Sequence, residues 1–129
     1  YASDSYRKIF SAKNHIGQTA KDNIAEYKRR SPVWHAEKLK DPLLIYTNTS
    51  DDDVNVVEVE SMIRALKAEG KKFEYKIFER VPGAHSFDRL DTYESSKIRL
   101  DIYKFMGRYL KPNKPFGSVK ELRKAAYKF

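Results

Sequence analysis

An acidic run, Asp51-Asp52-Asp53, and a histidine, His85, are the residues of this chain whose types could do chemistry together. An aspartate within about 2.6–3.2 Å of an imidazole fixes the ring's tautomer and stabilises its charged form, so the other ring nitrogen can serve as a base. Other readings of the same residues stand beside this one. Three aspartates could hold a divalent cation through oxygen ligands, but no glycine falls where a calcium loop needs one. Asp52 and Asp53 are expected to favour the positive end of the helix that follows, as acids in a first turn do. His85 alone would be an ordinary surface-loop histidine. His15 and His35 read as structural or surface residues. No His-x-x-x-His spacing makes a zinc case, and with no cysteine there is no thiolate ligand, disulfide or cysteine nucleophile.

What pairs the acidic run with His85 is the order of the elements around them. Leu43-Leu44-Ile45-Tyr46 is a short apolar run after the breaker Asp41-Pro42, the pattern of a strand buried on both faces. The polar loop 47–53 follows. From Val54 the apolar residues Val59, Met62, Ile63 and Leu66 recur at helical spacing, and Gly70 is a natural stop. Lys72 to Phe78 alternates, placing Phe73, Tyr75 and Ile77 on one side of a second strand. The loop with Pro82-Gly83 and His85 comes next. A helix over Ser95 to Leu110 then carries a stripe of Ile98, Ile102, Phe105, Met106 and Tyr109. A helix between two strands is a crossover, so the strands are expected to be parallel. In an open α/β sheet, active groups gather at the carboxyl ends of the strands. The acidic loop and the histidine loop both leave from that edge.

The flanks are less patterned. Residues 1–30 read as a helical and loop lead-in, and Ser31-Pro32 should stop any helix by Arg30. Val33 to Lys40 suggests a short helical turn. Residues 113–129 form a basic tail with a short helix expected from Ser118. The 129 residues allow one modest domain, and a chain that begins at Tyr1 is expected to be cut from a longer polypeptide. A two-stranded parallel sheet seldom stands alone, which points to missing strands. Charged residues make up 34% of the chain, a soluble, ordered composition without a membrane-spanning run or a signal peptide. The compartment stays open: cytoplasmic, periplasmic or secreted. The net charge of +8 allows an anionic partner, but the lysines are scattered among acids, and no nucleic acid is expected.

Several of these stretches resemble the prolyl oligopeptidase family of serine peptidases, nearest its dipeptidyl-peptidase-like and acylaminoacyl-peptidase-like branches. They are Ser31-Pro32-Val33-Trp34, Leu39 to Val54 with Asp51-Asp52-Asp53-Val54, Ala65-Leu66-Lys67-Ala68-Glu69-Gly70, Gly83-Ala84-His85-Ser86-Phe87, and the helix ending Phe105-Met106-Gly107-Arg108-Tyr109-Leu110. The resemblance runs from about Tyr27 to Pro112. It implies the C-terminal part of an α/β-hydrolase catalytic domain, with Asp51 the triad acid and His85 the triad base. The family usually writes the acid loop His-Gly-x-x-Asp-x-x-Val. Here Tyr46-Thr47-Asn48-Thr49-Ser50 is one residue longer and lacks the glycine, which leaves Asp52 as an alternative acid.

The nucleophile elbow Gly-x-Ser-x-Gly does not occur in the chain. In this fold the serine precedes the acid and the histidine. The resemblance therefore implies that the serine and the oxyanion hole belong to an upstream half of the same domain. Ser86 is no substitute, because it lacks the strained turn that exposes a nucleophile. The expected function is peptide-bond hydrolysis by a Ser-Asp-His triad in the full-length parent, with this portion inactive alone and no cofactor. The expected partners are the peptide substrate, the upstream half, and a second copy of the fragment through dimerisation or segment exchange. Two other readings remain: a fragment of another α/β-hydrolase, an esterase or acyltransferase, and a non-catalytic basic interaction domain.

Overall fold

The run after Asp41-Pro42 becomes strand β1, Leu44–Asn48, and the alternating segment becomes strand β2, Glu74–Phe78. The computed structural model describes residues 8–9 and 11–126. The two strands pair in parallel, with Leu44 opposite Glu74 and Asn48 opposite Phe78. Helix α2, Val56–Ala68, makes the crossover between them. It starts two residues later than the apolar spacing suggests, because Asn55 caps it by accepting from the Val57 N–H at 3.0 Å. The capping expected of Asp52 and Asp53 therefore falls to Asn55. The helix ends in a Schellman motif. Gly70 takes φ +61°, its N–H donates to the Lys67 carbonyl, and the Lys71 N–H reaches back to the Leu66 carbonyl at 2.9 Å.

Side chains alternate across a strand, so the two faces of the sheet can be told apart. Tyr46 and Phe78 lie on one face, packed with Phe87 and with Ile98 and Ile102 of helix α3, Tyr93–Leu110. Tyr75 lies on the other, where the Lys67 Nζ of α2 donates to its hydroxyl at 2.9 Å. The order is helix, sheet, helix. The alternation in β2 points to Phe73, Tyr75 and Ile77 as the inward set, yet Phe78 is the buried residue and Tyr75 is 43% exposed. A sheet covered on both faces buries residues of either phase, and here the aromatic cluster on the α3 side wins.

In α2, Ile63 and Leu66 are buried as the spacing requires. In α3 the expected stripe is only half right. Ile98 is buried, but Met106 is 41% and Tyr109 51% exposed, while Ser95, Ser96 and Leu100, outside the stripe, are buried. The N-terminal half of α3 packs on the sheet through Ile98 and Ile102, whereas its C-terminal half, tied to the start of β2 by the Arg108–Glu74 ion pair, turns Met106 and Tyr109 outward.

Helix α1, Ile24–Arg30, stops at Ser31, whose extended geometry before Pro32 is the reason. The 3₁₀ segment Pro32–Lys38 follows, tied to the end of α2 where the Lys71 ammonium donates to the carbonyls of Glu37 and Leu39. Helix α4, Val119–Ala126, is the short basic helix of the tail. No helix among the described residues is long and apolar enough to cross a membrane. The expected lead-in before residue 8, residue 10, and the last three residues of the tail lie outside the described residues.

Candidate active site

The parallel pairing makes β1 and β2 end side by side, and the loops that leave them meet. The Thr49 N–H extends the ladder by donating to the Phe78 carbonyl at 2.9 Å. Beyond it, the Asp51 N–H donates to the Asn48 carbonyl at 3.0 Å, turning the chain so that the Asp51 carboxylate faces back across the strand ends. After β2, Arg80, Gly83 and Ala84 adopt positive φ values of 51°, 104° and 45°, and this tight loop delivers His85 on a single 3₁₀ turn, Ala84–Ser86. Gly83 is required here. Besides its φ, an added Cβ would lie 2.9 Å from both the Phe87 Cα and the Leu90 Cδ1.

His85 Nδ1 lies 2.9 Å from Asp51 Oδ2. The other carboxylate oxygen, Oδ1, accepts from the backbone N–H groups of Asp53 and Val54, each at 2.9 Å. The Asp51 side chain is 6% exposed and the His85 side chain 46%. Burial raises the pKa of Asp51, but the hydrogen bonds from Val54, His85 and Asp53 outweigh it, so the carboxyl titrates below its ordinary value. At neutral pH it is an acceptor-only carboxylate, so Nδ1 must carry the proton. In the neutral ring that tautomer leaves Nε2 bare, and Nε2 has no hydrogen-bond partner among the described residues. A buried carboxylate that orients a half-exposed imidazole with an unpartnered second nitrogen can support general-base chemistry.

Of the two candidate acids, Asp51 makes the contact with His85, while Asp52 is exposed in the same loop. His35 is held by the Arg29 carbonyl at 2.9 Å, far from this loop in the chain, and His15 is an exposed lead-in residue. No group of three or more His, Cys, Asp or Glu side chains converges as metal ligands would, among the described residues. Ser86 follows His85 in the 3₁₀ turn, with its N–H bonded to the Gly83 carbonyl.

Sequence reasoning passed over Asn48, whose side chain bridges the two loops. Its side chain is fully buried, with the amide bonded to both loops. The sequence pattern places Asn48 in the polar loop 47–53, where an asparagine is ordinary, whereas β1 runs on to Asn48.

Two parallel strands, a crossover helix, a helix on the opposite face, and an acid and a histidine at the strands' carboxyl ends are the makings of the C-terminal part of an α/β-hydrolase fold. The profile of the prolyl oligopeptidase family matches residues 1–113, and the chain belongs to that family. The domain is thus of the prolyl oligopeptidase peptidase type. No curated protein and no solved structure matches the chain.

Proposed function

We propose that this chain is the acid–base arm of a serine peptidase catalytic site. His85 Nε2 takes the proton from a serine hydroxyl supplied by another part of the catalytic domain, as that oxygen bonds to the scissile carbonyl carbon. His85 then gives the proton to the amine that leaves as the C–N bond breaks. Asp51 holds the imidazole in the required tautomer and stabilises its charged form without itself taking the proton. Water repeats the sequence to free the acyl group. The observation that carries this reading is the 2.9 Å contact between Asp51 and His85, in a chain that belongs to a peptidase family. On this reading the chain alone has no nucleophile and does not hydrolyse peptides. Substrate preference would be set by pocket residues contributed mostly from outside these 129 residues.

The test joins the chain to the polypeptide encoded upstream of it and assays dipeptidyl and aminoacyl chromogenic amides beside aryl esters. Amide hydrolysis is expected, and His85→Ala should lower kcat by a factor on the order of 10⁴ or more. Activity that survives His85→Ala would show that the histidine is not the base. Ester hydrolysis without amide hydrolysis would point to an esterase.

A further inference from the structure

We infer that Asn48, seconded by Thr49, is a positioning residue that sets the distance between Asp51 and His85. The inference rests on the proposed roles of those two residues, but its physical basis is separate. The Asn48 side chain is fully buried and uses its whole hydrogen-bonding capacity. Its Nδ2 donates to the Val81 carbonyl at 2.7 Å and the Ala84 carbonyl at 3.3 Å. Its Oδ1 accepts from the Val81 N–H at 3.2 Å and the Ser50 N–H at 3.4 Å. Two carbonyls face one end and two N–H groups the other, so the amide can stand in only one orientation. The side chain pairs with the N–H and C=O of Val81 much as a neighbouring strand would. It thereby extends the register of the sheet into two loops that have left it.

Those loops carry the site. Ser50 precedes Asp51, and Ala84 precedes His85. Thr49 adds a second tie, its Oγ1 accepting from the Arg80 N–H at 2.9 Å. The segment so held contains Arg80 and Ala84, both non-glycine residues at positive φ. Such backbone persists only where its surroundings over-determine it. Without the amide, the loop has no regular ladder to keep it in this conformation, and His85 rides on it.

A purely structural asparagine would change stability and leave the imidazole where it is. A positioning one must change the His85–Asp51 hydrogen bond in chains that remain folded. The experiment reads the Nδ1-bound proton of His85 in the 129-residue chain labelled with ¹⁵N-histidine, the resonance being assigned by its loss in His85→Gln. Asn48→Asp keeps the shape but turns the donor end into an acceptor facing two carbonyls, and Asn48→Ala removes both ends. In each, the Nδ1 proton is expected to exchange with solvent at least about tenfold faster than in the parent chain. The methyl resonances of Leu66, in α2 on the far face, should stay dispersed. In the complete catalytic domain the same variants should lower kcat about 10–100-fold, with KM within about threefold.

Thr49→Val, which removes only the acceptor for Arg80, should give a smaller acceleration of the same exchange, and it decides the matter if the Asn48 variants do not fold. Unchanged exchange in a folded Asn48 variant, or in Thr49→Val where the Asn48 variants are unfolded, overturns the inference. Activity that survives His85→Ala would overturn the proposed triad and leave the exchange result standing as a statement about geometry.

Discussion

Asp51 can satisfy two backbone donors and an imidazole at once only because its loop turns back on itself directly after β1, and that arrangement has a pH signature. Its carboxyl titrates below the ordinary value in the folded chain, so its contribution to stability is complete above the unfolded pKa of about 3.9. The contribution is lost as pH falls through the lower, folded value. Asp51→Asn removes it at every pH. In urea titrations the variant should be less stable than the parent chain by about 1–2 kcal/mol at pH 7, less than for a fully buried pair because His85 is half exposed. The gap should close as the pH drops below about 4. A gap that stays constant down to pH 2 would mean that the carboxylate contributes nothing as a charge. The glycines offer a second contrast at this scale. Gly70 and Gly83 both have positive φ, but an added Cβ at Gly70 meets nothing within 4 Å. Gly70→Ala should cost about 1 kcal/mol through the backbone alone. Gly83→Ala should cost at least about 2 kcal/mol, because the methyl also meets the Phe87 backbone. Equal losses in thermal or urea unfolding would refute the steric account of the histidine loop.

Helix α2 was legible in the sequence because one feature, apolar spacing ending at a glycine, decides both its existence and its buried face. Leu66, on the stripe, has no exposed surface, and Leu66→Ala should cost about 2–5 kcal/mol. The stripe of α3 misled towards its C-terminal end. Periodicity reports what a helix could bury, and the coverage comes from elsewhere in the molecule. Leu110 is 71% exposed, so Leu110→Ala should fall within about 0.5 kcal/mol of the parent, measured in the same unfolding assay. The anchoring of α3 at its other end was not legible, because it depends on small polar side chains. The fully buried Ser95 donates from Oγ to the Phe87 carbonyl at 2.6 Å, and Thr92 caps the helix by accepting from the Ser95 N–H. A serine pair reads in sequence as solvent-facing. Asn48 escaped for the same reason: a single asparagine shows its type, and its four partners lie in two loops some thirty residues apart. The acidic loop and His85 could be paired from sequence because parallel strands carry their following loops to one edge, a consequence of topology, whereas the choice of Asp51 over Asp52 comes from the family resemblance.

At the scale of the whole molecule both strands of the sheet have an unpaired outer edge, and that of β1 is the one an upstream strand would meet. β1 and β2 are the two strands of the only sheet among the described residues. The Leu43 carbonyl and the Thr49 N–H bond to β2, so alternation along a parallel strand turns the backbone groups of Leu44 and Tyr46 towards the outer edge of β1, while the Asn48 carbonyl already accepts from the Asp51 N–H. Those groups, beside a partly apolar strand, are a template for another strand. In the proposed catalytic domain an upstream strand would occupy this edge. In the chain alone the available strand is that of a second copy, by pairing or by exchange of a segment. The exposed C-terminal half of α3, with Met106, Tyr109 and Leu110, adds apolar surface that association could cover. The net charge of +8 opposes association at low ionic strength, so the measurement belongs at about 0.15 M salt, where that repulsion is screened beyond about 8 Å. Light scattering across a concentration series should then show a dimer or larger species at high concentration, and the Tyr46 amide should exchange more slowly as it forms. A clean monomer at roughly millimolar concentration would refute the edge argument, since an open strand edge at that concentration has met every partner it could pair with.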